Sequence, residues 1–203
     1  CESRCLVESK SLKLYLNGLA YVRFASSAQV EQTIRHDLNA ILDTPWISVT
    51  IFNAADFPAL AWQNQAPGTS LDALAEADIR EAPDPNLLST TDEEAQETLN
   101  TGLLRSLCPI TGQPDWGSVV IRYRGARMNA PGLLSYLCSY REHRGFHEEC
   151  CERIFSDITA RCAPQELLVG CFYTRRGGID INPVRSSYPL EPQDFPRLRL
   201  IRQ

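Results

Sequence analysis

A thiol and a carboxyl stand seven residues apart in Cys108-Pro109-Ile110-Thr111-Gly112-Gln113-Pro114-Asp115-Trp116-Gly117. A nucleophile beside a proton donor is the minimum equipment for covalent chemistry on an electrophilic carbon. Two prolines and two glycines within these ten residues forbid a continuous helix. They predict a tight, preset loop that holds Cys108 and Asp115 over one small volume. The plainer alternative makes Cys108 a buried small hydrophobe and Asp115 a turn former. The company this loop keeps decides between the two.

Three other segments concentrate reactive or charged residues beyond what packing needs. Val7-Glu8-Ser9-Lys10 places a carboxylate and a lysine at a helix start, where a first-turn glutamate and solvated lysines are the competing explanation. Gly145-Phe146-His147-Glu148 ends one helix and opens the next, and a His-Glu pair there serves as a cap as often as a site. Tyr173-Thr174-Arg175-Arg176-Gly177-Gly178 sets paired arginines beside a glycine turn. It is able to grip phosphate, or to be a hairpin with exposed arginines.

The elements that must position these residues follow from periodicity. Apolar spacing predicts helices over 8–23 and 27–42, with Ser27 as N-cap, Val30, Ile34, Leu38 and Ile41 as the buried stripe, and Pro45 as the stop. Residues 47–52 read as a strand, 71–79 as a short strand, and 83–94 as an acidic surface loop. In the second half, strands are expected over 97–107 and 118–124, the latter ended by Gly125. Helices follow over 131–140 and 146–161, with Cys150, Ile154 and Ile158 on the core face of the second. Strands over 167–174 and 198–201 complete the set.

The second half thus runs strand, strand, helix, helix, strand, strand. The first half repeats part of that order about 120 residues earlier, with Tyr15-Leu16 aligning with Tyr136-Leu137. An internal duplication that lacks its two opening strands is expected, with modules over 1–95 and 96–203. The fold class is α+β, with antiparallel four-stranded sheets carrying two helices on one face and edges that need pairing with another copy.

Composition bounds the rest. A chain of 203 residues with 43% apolar content fills a real core, and its net charge of −5 gives no bulk attraction to nucleic acid or anionic membrane. No apolar run has bilayer length and no signal peptide is visible. The chain begins at Cys1 rather than a methionine, so an N-terminal part is expected to precede it. The eight cysteines lack dense regular spacing and contain no C-x2-C. Reduced thiols are expected, with neither a disulfide framework nor structural zinc.

Taken together, ESKSLKLYLN (8–17), CPITGQPDWG (108–117), GFHEECCERIF (145–155) and YTRRGGIDINP (173–183) resemble one family. These are the NADPH-dependent nitrile reductases of queuosine biosynthesis, which convert 7-cyano-7-deazaguanine to 7-aminomethyl-7-deazaguanine. The likeness runs from Leu6 to about Ser187 and is to the longer, two-module branch. It implies tandem tunnelling-fold (T-fold) modules, the first incomplete at its N-terminus, in a cytoplasmic homodimer. It implies Cys108 as nucleophile, forming a thioimidate, and Asp115 as proton donor. Val7, Glu8, Ser9, His147 and Glu148 are implied as substrate contacts, and Ser9, Lys10, Arg176 and Gly177 as NADPH contacts. No metal, nucleic acid or membrane partner is implied. The competing classes are a cyclohydrolase of the same fold, which requires zinc, and a catalytically dead purine-binding module.

Overall fold

A computed structural model describes residues 3–44, 46–53, 55, 62–74, 80–190, 199–201 and 203. The chain divides into two compact units, Cys1–Ala59 and Leu60–Gln203.

The first unit is built on two helices, α1 (Ser9–Leu19) and α2 (Ser27–Leu42). Glu8, in extended backbone, starts α1 by accepting hydrogen bonds from the Lys10 and Ser11 amides at 2.9 and 2.8 Å. The helix stops at Leu19, short of the expected 23, after the poor helix formers Asn17 and Gly18. The cap of α2 is Ser26, one residue before the expected Ser27, and its hydroxyl accepts from the Gln29 amide. Ile34 and Leu42 are buried, whereas Ile41, placed on the same stripe by periodicity, is exposed. The Tyr15 hydroxyl donates to Asp37 at 2.7 Å and ties the two helices together. Burial and the Asp37 carboxylate push that phenol up to about 12. Pro45, the expected stop of α2, lies outside the described residues.

Residues 47–52, expected as a strand, are irregular. A strand needs a neighbour for its backbone, and the described residues of this unit offer none. Instead the Ile51 amide donates to the Glu31 side chain at 2.7 Å.

The second unit is a five-stranded sheet in the order β1 (Thr69–Ser70), β2 (Thr90–Leu107), β3 (Pro114–Met128), β4 (Glu166–Tyr173) and β5 (Val184–Ser186). All neighbours are antiparallel except β1, which pairs parallel with β2. The chain order matches the expected strand, strand, helix, helix, strand, strand, with several corrected bounds. The acidic stretch 83–94 is not all loop, because Pro85–Leu87 forms a 3-10 turn and β2 begins at Thr90. One of its acids, Glu93, pairs across the ladder with Arg127 at 2.6 Å, which also meets Glu97 at 3.1 Å. Gly125 does not end β3; lacking a Cβ, it lets Pro164 pack close while the strand continues to Met128. The expected strand at 71–79 begins and ends earlier, at β1, and residues 71–74 turn away; residues 75–79 lie outside the described residues. At 198–201, Leu200 makes only an isolated bridge to Gln63, Leu198 is outside the described residues, and the last sheet strand is β5.

Two helices, α3 (Ala130–Cys138) and α4 (His147–Cys162), cover one face of this sheet. Strand alternation sends Val119, Ile121 and Tyr123 of β3 and Val169, Cys171 and Tyr173 of β4 to that face. There they pack with Leu133, Leu134 and Leu137 of α3 and with the expected Cys150, Ile154 and Ile158 of α4. The opposite face carries a small cluster of Val120, Phe172 and Leu200. Among the described residues no helix is long and apolar enough to cross a membrane.

Ile154 is fully buried between α4 and the sheet. Ile154→Ala is expected to cost about 3 kcal/mol of unfolding free energy, measured by urea denaturation.

Candidate active site

The loop that carries Cys108 is shorter than the sequence suggests. It comprises residues 108–113, because Pro114 pairs with Leu107 and opens β3, placing Asp115 on a strand rather than in a turn. Proline is tolerated there as the first residue of a strand. The loop closes on itself through Cys108 N–H to Gln113 O and Gly112 N–H to Cys108 O, both 2.9 Å. A second segment is pinned beside it: Leu107 N–H donates to His143 O at 2.8 Å and Gly145 N–H donates to Leu107 O at 3.2 Å. These two bonds bring the first turn of α4, and with it His147, to the end of the sheet.

A β-bulge in β2 sets the floor. Thr101 faces Val119 and Leu104 faces Gly117, so one extra residue shifts the alternation and puts Ser106 opposite Asp115 on the helix face. Asp72 holds the bulge, accepting from the Thr101 hydroxyl at 2.5 Å and the Gly102 amide at 3.1 Å.

Asp115 is 3% exposed and its carboxylate is flanked on two sides. Arg176 Nη1 lies 3.2 Å from Oδ1, and His147 Nε2 lies 3.3 Å from Oδ2. The His147 ring stacks flat on Tyr173, with centroids 3.8 Å apart and planes at 4°. Burial lowers the His147 pKa against the opposing pull of Asp115, which favours the neutral imidazole. Arg176 reaches this point from the far side of β4. Gly177 and Gly178, both at positive φ, make a tight turn in which Arg176 and Ile179 exchange both backbone hydrogen bonds. Its neighbour Arg175 faces away to Asp180, at 2.8 Å.

Cys108 is 5% exposed, and burial alone raises its pKa. The Thr111 hydroxyl, the Thr111 and Ile110 amides and the Arg176 guanidinium outweigh that effect and bring the thiol down to about 7. That shift raises the share of thiolate at neutral pH above the few per cent of an ordinary cysteine. Cys150 shows the contrast. Burial pushes its thiol up to about 11. A hollow of about 460 Å³, lined by Gly102, Leu103, Trp116, Gly117 and Thr174, opens at the same end of the sheet.

The structure therefore brings together Cys108, Asp115, His147 and Arg176 of the expected site. Glu148 follows His147 in the first turn of α4, half-buried, and its charge acts on the imidazole. Gly177 lies in the turn beside Arg176. Val7, Glu8, Ser9 and Lys10 belong to the first unit, where Glu8 is the N-cap of α1, Ser9 donates to it at 3.3 Å, and Lys10 is exposed. Three contributors carry no assignment from sequence: Thr111, Gln113 and Tyr173. Two of them sit inside the cysteine motif, where their polarity in a loop of six was the available signal; the stacking role of Tyr173 leaves no sequence trace. Among the described residues no group of three or more His, Cys, Asp or Glu side chains is placed to hold a metal, and the seven described cysteines are free.

A cysteine of lowered pKa, a buried carboxyl and an imidazole thus meet at one end of a helix-backed sheet, a set of groups suited to an enzyme's site. Comparison with known proteins narrows the class. Residues 114–191 match the family model described as QueF-like protein, and residues 1–51 match the model of the N-terminal part of nitrile reductase, 7-cyano-7-deazaguanine-reductase. Curated NADPH-dependent 7-cyano-7-deazaguanine reductases are similar along the chain. That of Desulfotalea psychrophila is 47% identical over 206 residues, covering 100% of this chain and 72% of the relative. That of Verminephrobacter eiseniae is 47% identical over 211 residues, covering 100% and 74%. The Coxiella burnetii enzyme is 49% identical over 184 residues, covering 91% and 65%. Among solved structures, apo archaeosine synthase QueF-Like aligns with a TM-score of 0.42 at 21% identity, covering 50% of this chain and 99% of that one, too distant to bear on the fold. The chain belongs to the NADPH-dependent 7-cyano-7-deazaguanine reductase family.

Reactivity of Cys108 is expected to rise with pH through a midpoint near 7, below the range of an unperturbed thiol. The check is the rate of iodoacetamide labelling against pH, after subtracting labelling that persists in Cys108→Ser.

Proposed function

We infer that the chain reduces the nitrile of 7-cyano-7-deazaguanine to the aminomethyl group of 7-aminomethyl-7-deazaguanine, using NADPH, in queuosine biosynthesis. The observation that carries this reading is a thiol lowered to about 7 in the same motif as Asp115, in a chain 47% identical to such reductases along its whole length.

The residues suit the chemistry. A nitrile carbon is electrophilic but a poor hydride acceptor, and addition of the Cys108 thiolate converts it to a thioimidate, a better one. The nitrogen gains a proton in that step, and we assign its delivery to Asp115 in its protonated form, recharged between steps by a solvent proton that His147, 3.3 Å away, takes up and passes on. NADPH, when bound, would supply the hydride for both reductions, and Cys108 leaves as thiolate between them. Cys108 ends as it began, so each turnover consumes two equivalents of reductant and needs no external oxidant. Exclusion of water protects both intermediates from hydrolysis.

Glu8 and Glu148 are each proposed to accept N–H groups of the deazaguanine edge, with His147 beside Glu148, and Val7 and Ser9 to contribute backbone contacts. Ser9, Lys10, Arg176 and Gly177 are proposed to hold NADPH. An exposed lysine in the first turn of a helix and an arginine beside an open glycine turn suit a phosphorylated ligand on an acidic protein.

Residues 1–95 and 96–203 are proposed as tandem T-fold modules. Support comes from Tyr15-Leu16 and Tyr136-Leu137, each lying on the first helix of a pair. A cytoplasmic homodimer without direct nucleic-acid or membrane contacts completes the reading, in which exposed sheet edges find partners in a second copy.

Mixing the protein with the cyano substrate is expected to add the ligand's mass to the Cys108 peptide, and Cys108→Ala to abolish the adduct. Asp115→Asn is expected to lower kcat/KM by about 10²–10³. Wild-type kinetics in that variant would remove the proton-donor assignment.

A further inference from the structure

We propose that Gln113 is a positioning residue that locks the Arg176 guanidinium between Asp115 and the Cys108 loop, its uncharged amide leaving the positive charge to act on the thiol. The proposal rests on Cys108 being the nucleophile of the reductase reaction.

Gln113 makes two bonds that no other residue of the site combines. Its backbone carbonyl accepts from the Cys108 amide at 2.9 Å, which fixes it directly across the loop from the sulfur's own residue. Its side-chain Oε1 accepts from Arg176 Nη2 at 2.9 Å. The other terminal nitrogen, Nη1, faces Asp115 at 3.2 Å. A planar guanidinium held at both ends cannot swing away on its flexible stem, so the orientation that serves Asp115 also serves the loop. Without Gln113 the guanidinium keeps Asp115 and the Cys108 sulfur but loses its neutral anchor on the loop, so its orientation is less closely fixed.

The identity of the side chain follows from charge. Arg176 from the turn after β4 and His147 from α4 face Asp115, Glu148 of α4 acts on His147, and Arg144 from the segment before α4 approaches the loop at Gly112 with its Nη2. Asp115 already claims part of the Arg176 charge. A glutamate at 113 would accept the same hydrogen bond yet claim more of that charge, and would set a second anion next to a thiol that must ionise. Glutamine supplies the acceptor without the charge. Gln113 is exposed, so this geometry is not a by-product of packing.

The test is the pH profile of iodoacetamide labelling at the Cys108 peptide in the full chain, for the parent, Gln113→Ala, Gln113→Glu and Arg176→Met, with thermal midpoints alongside. Both Gln113 variants are expected to keep the parental thermal midpoint, since exposed substitutions cost little. Their labelling midpoints are expected to move up by about one pH unit, Gln113→Glu at least as far as Gln113→Ala, with Arg176→Met shifted in the same direction. Overlay of both Gln113 variants on the parent while Arg176→Met shifts would overturn the proposal. So would a shift in Gln113→Ala alone, since charge would then be immaterial. Adduct formation with 7-cyano-7-deazaguanine is scored separately on the parent. Its absence counts against the reductase reading and leaves the labelling profiles to judge Gln113.

Discussion

Removing a thiol from water makes it a poorer acid, yet a nucleophile is useful only as the thiolate. Cys108 is held in that conflict, 5% exposed and still ionising near neutrality. Hydrogen bonds resolve it. The Ile110 and Thr111 amides and the Thr111 hydroxyl come from the same short loop, so they are fixed as soon as the Leu107–Pro114 pair closes the hairpin. The remaining donor, Arg176, comes from 68 positions further along the chain. Cys150 lies within the same core, lacks such a set of backbone donors, and its thiol is driven the other way by burial. What separates the two cysteines is therefore the loop of donors around one of them and the deeper burial of the other.

The loop can do this only because the sheet under it is rigid and correctly phased. Its two flanking strands form the long β2–β3 ladder, and the bulge at Gly102-Leu103 decides which side chains of β2 meet the helix face near the loop. Without the extra residue, the alternation that buries Leu99 and Thr101 would turn Ser106 outward and present Arg105 to Asp115. A second arginine on the buried carboxylate would alter the balance that Arg176 and His147 now share. The carboxylate of Asp72, spread over Thr101 and Gly102, is thus linked to the chemistry through register rather than through contact.

Much of this was legible in the sequence where the signal is local. The cysteine and the aspartate of one motif, the histidine at a helix start, and the six-element order of the second half all follow from spacing and periodicity. Errors arose where a partner had to be supplied by the rest of the chain. Residues 47–52 have strand composition, but composition does not provide a neighbouring strand, and the Ile51 amide is satisfied by Glu31 instead. Gly125 reads as a terminator until Pro164 is known to pack against it. The stretch after Pro83 reads as a solvated loop because the partner of Glu93, Arg127, lies on another strand. For the site, the paired arginines presented equivalent side chains to a sequence reading. Only the glycine turn between β4 and Asp180 sends Arg176 to Asp115 and Arg175 to Asp180.

The same periodicities that build the core also aim the reactive groups. On α4, His147 lies on the stripe that continues through Cys150, Cys151, Ile154 and Ile158, every one of them fully buried below it. On β3, Asp115 shares its face with Val119, Ile121 and Tyr123; on β4, Tyr173 shares its face with Val169 and Cys171. The three elements meet in one interior layer, and at its end Tyr173 supports His147 and His147 meets Asp115. No separate device is needed to point these side chains at one another, because turning any of them away would require unpacking the apolar residues in phase with it. Precision at the site is in this sense borrowed from the core, and only Cys108 and Arg176, which come from loops, depend on local hydrogen bonds to be held in place.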